Sequence, residues 1–363
     1  MHAGGAERVA SMLANAWVER GDDVTLMPTF SGGGTCAYLL SEKVRLVYLV
    51  SLQPVSAGNA VGRLGRLLAL RRFMMSQRPD VVISFLSNVN VAAVVASWGL
   101  RMPLIVCERV DPFAVQGMSW ALRLACRFAY PLADALMVQT DAVARRYASF
   151  RWYLPTVRVI PNPVPNDLLD LRRAVRIEDG KRLVAVGRLV EQKQFDKLIR
   201  CFASLASEHC DWSLWIAGEG HLRPALEQQI VALGLCQRIE LVGQVQDIGG
   251  LLAQVDAFAL TSAFEGFPNA LLEAMASGLP CVTFDCPSGP REMSLGGEVA
   301  LLVPLNDESA FTKALSQVMR CSSLRKSLGR RAHDSIAQRY SLAKVLSMWD
   351  TLFDTLKIDR RDR

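Results

Sequence analysis

The chain has 363 residues, 51% of them hydrophobic, and its 41 Lys and Arg against 35 Asp and Glu give a net charge of +6. That length exceeds one ordinary hydrophobic core and predicts two domains. No apolar run reaches the roughly 18 residues of a membrane-spanning helix, and no signal peptide is recognisable, so neither a membrane-spanning nor a secreted protein is expected.

Alternating strands and helices are predicted along the first half of the chain. Aliphatic and β-branched runs predict strands near 23–28, 45–50, 80–85, 103–107, 134–139 and 157–160. Amphipathic patterns predict helices near 5–20, 60–78, 90–98, 116–129 and 141–150. Such alternation is typical of a parallel sheet covered by helices on both faces.

The excess positive charge lies in this half, because residues 1–165 hold 17 Lys and Arg against 10 Asp and Glu. Much of it falls on two predicted helices that interleave arginines with bulky apolar residues, at Arg63, Arg66, Arg71, Arg72 and Arg78 and at Arg123 and Arg127. Such helices lie on anionic membrane surfaces, or else face a core and solvate their basic side. No recognition motif indicates a nucleic-acid partner.

Three prolines between Val159 and Asn166 cannot continue a helix or a strand, and they predict a boundary between domains 1–164 and 165–340. The second half repeats the alternation, with strands near 182–187, 212–217, 239–243, 256–261, 280–285 and 299–303 and helices near 195–208, 221–234, 248–254 and 269–277. Both halves are therefore predicted as doubly wound α/β domains. C-terminal helices follow near 307–319, 323–340 and 342–356, and the segment 341–363 is expected to pack back on the first domain.

Glu265 and Glu273 flank a junction between a strand and a helix in the second half. The strand ends near Thr261, and the helix begins near Asn269, with Glu273 placed in its first turn. The intervening Gly266, Phe267 and Pro268 shape the loop. A helix start suits a phosphate, and two carboxylates accept hydrogen bonds from sugar hydroxyls, so the pattern fits a nucleotide sugar. The alternative is a pair of solvated glutamates near a helix dipole.

Other candidate donor residues also follow predicted strands. Arg188 and Lys193 come after the strand 182–187, and two cations there can hold a diphosphate whose charge grows as its bond to the sugar breaks. Gly218 and Gly220 would let a nucleotide approach the backbone. Gly289 stands in a turn that either faces a ligand or only connects two elements.

Four residues of the first half are candidates for the acceptor side of the site. Gly4 and Gly5 open the first helix, where N–H groups can meet a phosphate or a hydroxyl. Glu108 and Arg109 follow the strand 103–107, at the sheet edge where an acceptor would enter. They are either substrate contacts or members of a structural ion pair.

Several types of chemistry lack a motif in the chain. The nine cysteines include no Cys-x-x-Cys pair and predict reduced core residues of a cytoplasmic protein. The four histidines lack metal-ligand spacing, and no Asp-x-Asp triplet occurs, so no metal is expected. Hydrolase, NTPase and dehydrogenase motifs are also absent.

Taken together, these motifs resemble the retaining glycosyltransferase family 4, of GT-B fold. The resemblance rests on Glu265-x7-Glu273, Gly187-Arg188 with Lys193, Gly218-Glu219-Gly220, Gly4-Gly5-Ala6-Glu7-Arg8 and Pro161-Asn162-Pro163, and it covers nearly the whole chain. The family that the chain resembles includes bacterial enzymes that extend lipid-linked or surface polysaccharides, among them N-acetylgalactosaminyltransferases. It implies transfer of a hexose or N-acetylhexosamine from a UDP-sugar to a lipopolysaccharide, capsule or undecaprenyl-diphosphate glycan. It also implies that the enzyme works without an essential metal and peripherally on the cytoplasmic membrane face.

The resemblance further implies roles for individual residues. Arg188 and Lys193 would bind the donor diphosphate, Glu265 the donor sugar and Glu273 the ribose hydroxyls. Backbone groups of the loop and the helix start would contact sugar and phosphate, at Phe267, Asn269 and Ala270.

Two features differ from the family pattern. Many relatives have a histidine near the reacting sugar, where this chain has Glu108-Arg109. Relatives also begin with a strand before the Gly-Gly loop, whereas only three residues precede Gly4 here. We therefore expect either a start codon upstream of Met1 or a poorly stable, inactive version. Two other functions stay open, a nucleotide-sugar epimerase of the same architecture and a non-catalytic nucleotide-sugar-binding subunit of a polysaccharide assembly complex.

Overall fold

The computed structural model describes residues 5–29, 38–52, 60–109, 118–149, 155–171 and 181–358. The chain divides into two compact units, the first made of Met1–Asn162 with Val345–Arg363 and the second of Pro163–Lys344. The second unit thus begins two residues before the predicted boundary after 164. The reason is that the Val164 N–H donates to the carbonyl of Tyr340 at 2.8 Å, and Val164 also forms a β-bridge with Ser341.

The part of the first unit before residue 163 contains the described helices α1 Gly5–Glu19, α2 Ala60–Gln77, α3 Ser87–Ser97, α4 Trp120–Ala129 and α5 Asp141–Ser149. Its strands are β1 Thr25–Leu26, β2 Arg45–Leu46, β3 Val82–Phe85, β4 Leu104–Cys107, β5 Ala135–Val138 and β6 Thr156–Val159. Short 3-10 helices occupy Leu49–Leu52 and Tyr130–Leu132. Helix α4 begins where the Ser119 side chain accepts a hydrogen bond from the N–H of Leu122, which caps the helix start.

Strands β3 to β6 form a four-stranded parallel sheet in chain order. Every residue of the central strands β4 and β5 is buried, as expected for strands covered on both faces. Strands β1 and β2 pair with each other in a separate two-stranded sheet. The strands predicted at 23–28 and 45–50 were therefore too long, because their ladder holds only two residue pairs and a 3-10 helix begins at Leu49.

The C-terminal helix α14, Leu342–Thr355, packs against α1 of the first unit. The rings of Trp17 and Trp349 meet edge to face, with centroids 5.6 Å apart. Phe353 contacts both indoles, and Arg20 donates to Asp350 at 3.0 Å. This aromatic contact is where the C-terminal segment joins the first unit.

The second unit contains α6 Asn166–Leu169, α7 Phe195–Leu205, α8 Arg223–Ala232, α9 Ile248–Ala253, α10 Asn269–Ala276, α11 Pro290–Met293, α12 Glu308–Arg320 and α13 Ser322–Tyr340. Its strands are β7 Lys181–Val186, β8 Trp212–Ala217, β9 Ile239–Gly243, β10 Ala257–Leu260, β11 Cys281–Asp285 and β12 Leu301–Pro304. Two 3-10 helices occupy Glu191–Lys193 and Leu295–Gly297.

The six strands of this unit form one parallel sheet in the order β12-β11-β10-β7-β8-β9. The chain winds outward from β7 in one direction and from β10 in the other, so the strand order reverses between these two neighbours. Parallel sheets bind ligands outside the carboxyl ends of their strands at such a reversal. None of the described helices is long and apolar enough to cross a membrane.

Candidate active site

The carboxyl ends of β7 and β10 bring the two strongest sequence motifs together. The loop after β7 carries Arg188 and Lys193, and the loop after β10 carries Glu265. The Lys193 Nζ donates to the Glu265 Oε1 at 2.6 Å, and both side chains are largely buried. Residues 72 positions apart in sequence therefore form an ion pair at the reversal of strand order.

Glu265 is held by one of its two carboxylate oxygens. The buried Ser262 hydroxyl donates to Oε1 at 2.7 Å, which is the same oxygen that Lys193 contacts. Oε2 accepts no hydrogen bond from a described residue, although only 6% of the Glu265 surface is exposed. The free oxygen is available to a ligand hydroxyl without loss of a protein contact.

Backbone hydrogen bonds join the Lys193 loop to the Glu265 loop. The Ala263 N–H donates to the Gln192 carbonyl at 2.8 Å, and the Gln192 side chain donates to the Phe264 carbonyl at 2.8 Å. The Thr261 hydroxyl donates to the Lys193 carbonyl at 2.9 Å. The position of the ion pair is thus fixed by both loops. The sequence motifs do not include Gln192, Thr261 or Ser262, and the closeness of these residues in sequence to the predicted ones is the only signal for them.

Arg188 has no such contacts. Its side chain is exposed and makes neither a hydrogen bond nor an ion pair with any described residue. The structure therefore provides one cation that is paired with a carboxylate, Lys193, and one that is free, Arg188. A free guanidinium at a strand end can grip two oxygens of a phosphate.

Gly218 is needed for packing between two loops. It has a φ of 144°, and a methyl group on it would collide with the carbonyl of Gly187. The loops are already joined there, because the Gly187 N–H donates to the Ala217 carbonyl at 2.9 Å. Gly220 is likewise pressed against the backbone of Leu189. Packing between the two loops therefore requires these glycines. The interpretation from the sequence was different, namely that they allow close approach of a nucleotide.

Helix α10 begins at Asn269, as predicted, with Pro268 as the residue before it. The N–H groups of Ala270 and Leu271 lie in its first turn and have no intrahelical acceptor. Glu273 was placed in the first turn, and this was wrong: it is the fifth helical residue, in the second turn, and it is buried. A carboxylate there is less coupled to the helix dipole than the first-turn placement implied.

The turn at Gly289 packs against the Glu265 loop. The Ser288 hydroxyl donates to the Gly266 carbonyl at 3.0 Å, and the Glu265 N–H donates to the Pro287 carbonyl at 3.2 Å. Gly289 has a φ of 110°, and a Cβ on it would collide with the ring of Pro268. Phe267, in the same loop, is buried against Tyr340 with ring centroids 6.0 Å apart. The loops after β10 and β11 therefore support each other.

In the first unit, Glu108 lies in a buried polar network. Its carboxylate accepts a hydrogen bond from the Ser87 hydroxyl at 3.0 Å and a short one from the Tyr130 hydroxyl. The Asn90 amide donates to the Tyr130 oxygen at 3.2 Å. Burial raises the pKa of Glu108 to about 7, against the lowering effect of these hydrogen bonds, and also raises the pKa of Tyr130.

Arg109 points into different surroundings, and neither it nor Glu108 belongs to an ion pair with a described residue. Its guanidinium lies 4.4 Å from the centre of the Phe85 ring and donates through Nη1 to the Asn162 Oδ1 at 2.5 Å. The Gln139 amide donates to the same oxygen at 2.6 Å. Gly5 opens α1, whereas Gly4 lies outside the described residues.

No group of three or more metal-binding side chains occurs within the part of the chain that the structure describes. Taken by itself, the second unit therefore brings together a buried ion pair, a free arginine and a helix start. The first unit, taken by itself, has a carboxyl and a cation at the end of a strand.

Models of two glycosyltransferase families match most of the chain. The model for glycosyl transferases group 1 matches residues 180–321, and that for the glycosyl transferase 4-like domain matches residues 4–163.

Three relatives illustrate the range of similarity. The amylovoran biosynthesis glycosyltransferase AmsD of Erwinia amylovora is 29% identical, over 97% of each chain. The N-acetylgalactosamine-N,N'-diacetylbacillosaminyl-diphospho-undecaprenol 4-alpha-N-acetylgalactosaminyltransferase of Campylobacter jejuni is 34% identical, over 70% of each chain. An exopolysaccharide phosphotransferase of Streptomyces coelicolor is 35% identical, and the match spans 64% of this chain but only 24% of that protein.

Among solved structures, HepE of Anabaena in complex with UDP and glucose superposes with a TM-score of 0.78 at 21% identity, over 98% of this chain and 96% of that one. This similarity shows the GT-B fold.

Proposed function

The chain belongs to glycosyltransferase family 4 and has the GT-B fold, and from this premise we propose that it is a retaining enzyme that uses a UDP-sugar. Its substrates would be a hexose or N-acetylhexosamine donor and a growing lipid-linked or surface polysaccharide. The names of the Erwinia and Campylobacter relatives support this acceptor class. Family membership also favours transfer over epimerisation or binding without turnover.

The buried Lys193–Glu265 pair at the reversal of strand order is the observation that carries the proposal. Lys193 and the free Arg188 would bind the donor diphosphate, whose charge increases as the bond from the sugar C1 to the phosphate oxygen breaks. The acceptor hydroxyl would attack C1 on the face that the diphosphate leaves, and its proton would pass to the departing phosphate oxygen. The configuration at C1 is then kept.

The carboxylates would bind the neutral parts of the donor. Glu265 would accept a hydrogen bond from a sugar hydroxyl through its free Oε2, and Glu273 would hold the ribose hydroxyls. The first-turn N–H groups of α10, at Ala270 and Leu271, would meet a phosphate or sugar oxygen. Loop backbone at Phe267 and Asn269, shaped by Pro268, Gly218, Gly220 and Gly289, would complete this donor site.

A substitution series tests the donor site. We expect Glu265→Gln and Lys193→Met to lower sugar transfer at least about 100-fold, the effect typical of losing one transition-state contact. The exposed Glu240, in β9 of the same unit, provides the matched control Glu240→Gln, which should leave transfer unchanged. Full activity of both site variants would reject the assignment. Activity should also persist in excess EDTA, since we propose that no divalent metal is needed.

We further propose that the acceptor contacts the first unit, at Gly4, Gly5, Glu108 and Arg109, and that this unit rests on an anionic membrane surface at the cytoplasmic face. Helix α4 supports the membrane contact, because Trp120, Leu124 and Phe128 lie four residues apart and are 78%, 44% and 68% exposed. Arg123 and Arg127 are exposed on the same helix. Apolar side chains next to arginines suit the boundary between headgroups and acyl chains.

Vesicle co-sedimentation tests this contact. The protein should bind phosphatidylglycerol-containing vesicles at low salt and lose most binding at high salt. A Trp120→Ser, Phe128→Ser double variant should bind less, whereas Val231→Ser, at an exposed position of α8, should bind normally. Equal binding by all three proteins would show that α4 is not the contact.

A further inference from the structure

The Arg109 side chain carries two buried donors that no described residue satisfies. Only 7% of the residue is exposed, and its Nε and Nη2 atoms have no hydrogen-bond partner, whereas Nη1 donates to Asn162. Nε–H and Nη2–H lie side by side on one edge of a guanidinium. Such a pair binds two oxygens of one carboxylate or phosphate.

The carboxylate next to it in sequence does not neutralise this cation. Glu108 precedes Arg109 in the chain, but its oxygens accept from Ser87 and Tyr130. Burial lowers the pKa of Arg109 to about 10, so the guanidinium remains charged at neutral pH. A buried cation without a counter-ion is unfavourable, and proteins normally pair it.

The local structure does not depend on the arginine to satisfy its neighbour. The Asn162 Oδ1 that accepts from Arg109 also accepts from the Gln139 amide at 2.6 Å. Loss of the guanidinium would therefore leave this oxygen with a donor. An apolar side chain of similar length could still pack on the Phe85 ring.

We propose that Arg109 binds an oxyanion of the acceptor, a phosphate or carboxylate group, through Nε and Nη2. The inference rests on the proposed function in one respect: it takes the acceptor to enter at the carboxyl end of β4. Glu108 and Arg109 then have different roles, because only the arginine of the two has donors left for a charged ligand. The diphosphate of a lipid carrier and the carboxylate of an acidic sugar share the required chemistry.

Three acceptor analogues distinguish the sources: a farnesyl-diphosphate-linked N-acetylhexosamine, an octyl glucuronide and a neutral octyl N-acetylhexosaminide. We expect Arg109→Met to raise the KM for one anionic analogue about 10- to 100-fold, with the KM for the donor and for the neutral analogue unchanged. Arg109→Lys, which keeps the charge but not the fork, should lie between. Arg101→Met, at an exposed arginine of the same unit, is the matched control.

Thermal unfolding without ligand separates binding from a structural role. Because Arg109→Met removes two unsatisfied buried donors, its Tm should equal or exceed that of the unaltered protein. A Tm several degrees lower, an equal loss with the neutral analogue, or a raised KM for the donor would each overturn the proposal.

Calorimetric titration of the anionic analogues without donor keeps this test independent of transfer. Binding by the unaltered protein and not by Arg109→Met would support the oxyanion site even if no sugar were transferred. Normal binding by Arg109→Met would overturn it even in an active enzyme.

Discussion

Breaking the ion pair between Lys193 and Glu265 should destabilise the second unit far more than breaking an ion pair at its surface. Lys193→Met removes the cation and leaves the Glu265 carboxylate, 6% exposed, with the Ser262 hydroxyl as its one described side-chain donor. Glu265→Gln instead keeps an oxygen that both Lys193 and Ser262 can contact. The two single variants therefore have unequal costs.

The size of the effect follows from burial. Removal of one partner of a buried pair costs about 3–5 kcal/mol, and the 15% exposure of the Lys193 side chain places this pair near the lower end. In the double variant, a neutral amide replaces the unpaired carboxylate. The free energy of unfolding should therefore fall much less than the effects of the two single variants would add up to. We expect a coupling of about 2 kcal/mol between the two positions.

Urea unfolding followed by circular dichroism measures each free energy of unfolding in the double-mutant cycle. The pair between Arg200 and Glu308, with side chains 45% and 35% exposed, is the control, and its coupling should stay below about 1 kcal/mol. If the buried pair couples no more strongly than this surface pair, the burial and geometry assigned to it are wrong.

Other expectations follow from single features. Because burial raises the Glu108 pKa from 4.5 to about 7, the native state keeps a proton that the unfolded chain releases between these values, and the free energy of unfolding should fall by up to about 3 kcal/mol as pH rises from 4.5 to 7. Glu108→Gln should flatten this dependence in urea unfolding, and parallel curves would contradict the assignment. Gly218→Ala should cost at least about 1–3 kcal/mol through its collision with Gly187 and weaken UDP binding measured by calorimetry; an unchanged Tm would count against the packing. In urea unfolding, Trp349→Ala should destabilise the first unit by about 3–5 kcal/mol, whereas Trp98→Ala, at an exposed position, should cost about 0.5 kcal/mol or less. Equal costs at both tryptophans would contradict the packing of α14.

The second unit was predicted closely from sequence because its signals are local. The aliphatic run that forms β7 ends at a glycine, and the helix after Pro268 starts at Asn269, as the proline and the polar residue indicate. The parallel sheet then follows from alternation alone, and strand ends gather the motifs at one edge.

Other features depend on contacts that are remote in sequence. The lengths of β1 and β2 depend on how many residues of one strand pair with the other, and only two pairs form. The apolar runs in the sequence do not show how many residues will pair. The hydrogen-bond partner of Arg109 is Asn162, which lies 53 residues away in sequence. No local sequence pattern therefore indicates that Arg109 and its neighbour Glu108 have different surroundings. Likewise, a glycine is required at position 218 because the backbone of another loop lies against it. That contact is remote in sequence, so the Gly-x-Gly pattern suggested a ligand instead.

Above all, we propose that this site transfers a sugar from a UDP donor with retention of configuration. Proton NMR of the product formed from a UDP-α-sugar and a farnesyl-diphosphate-linked acceptor reads that configuration from the coupling between the sugar H1 and H2 protons. We expect the small coupling of an α-linked gluco- or galacto-configured sugar, and no product with Glu265→Gln. The large coupling of a β-linked product would contradict it.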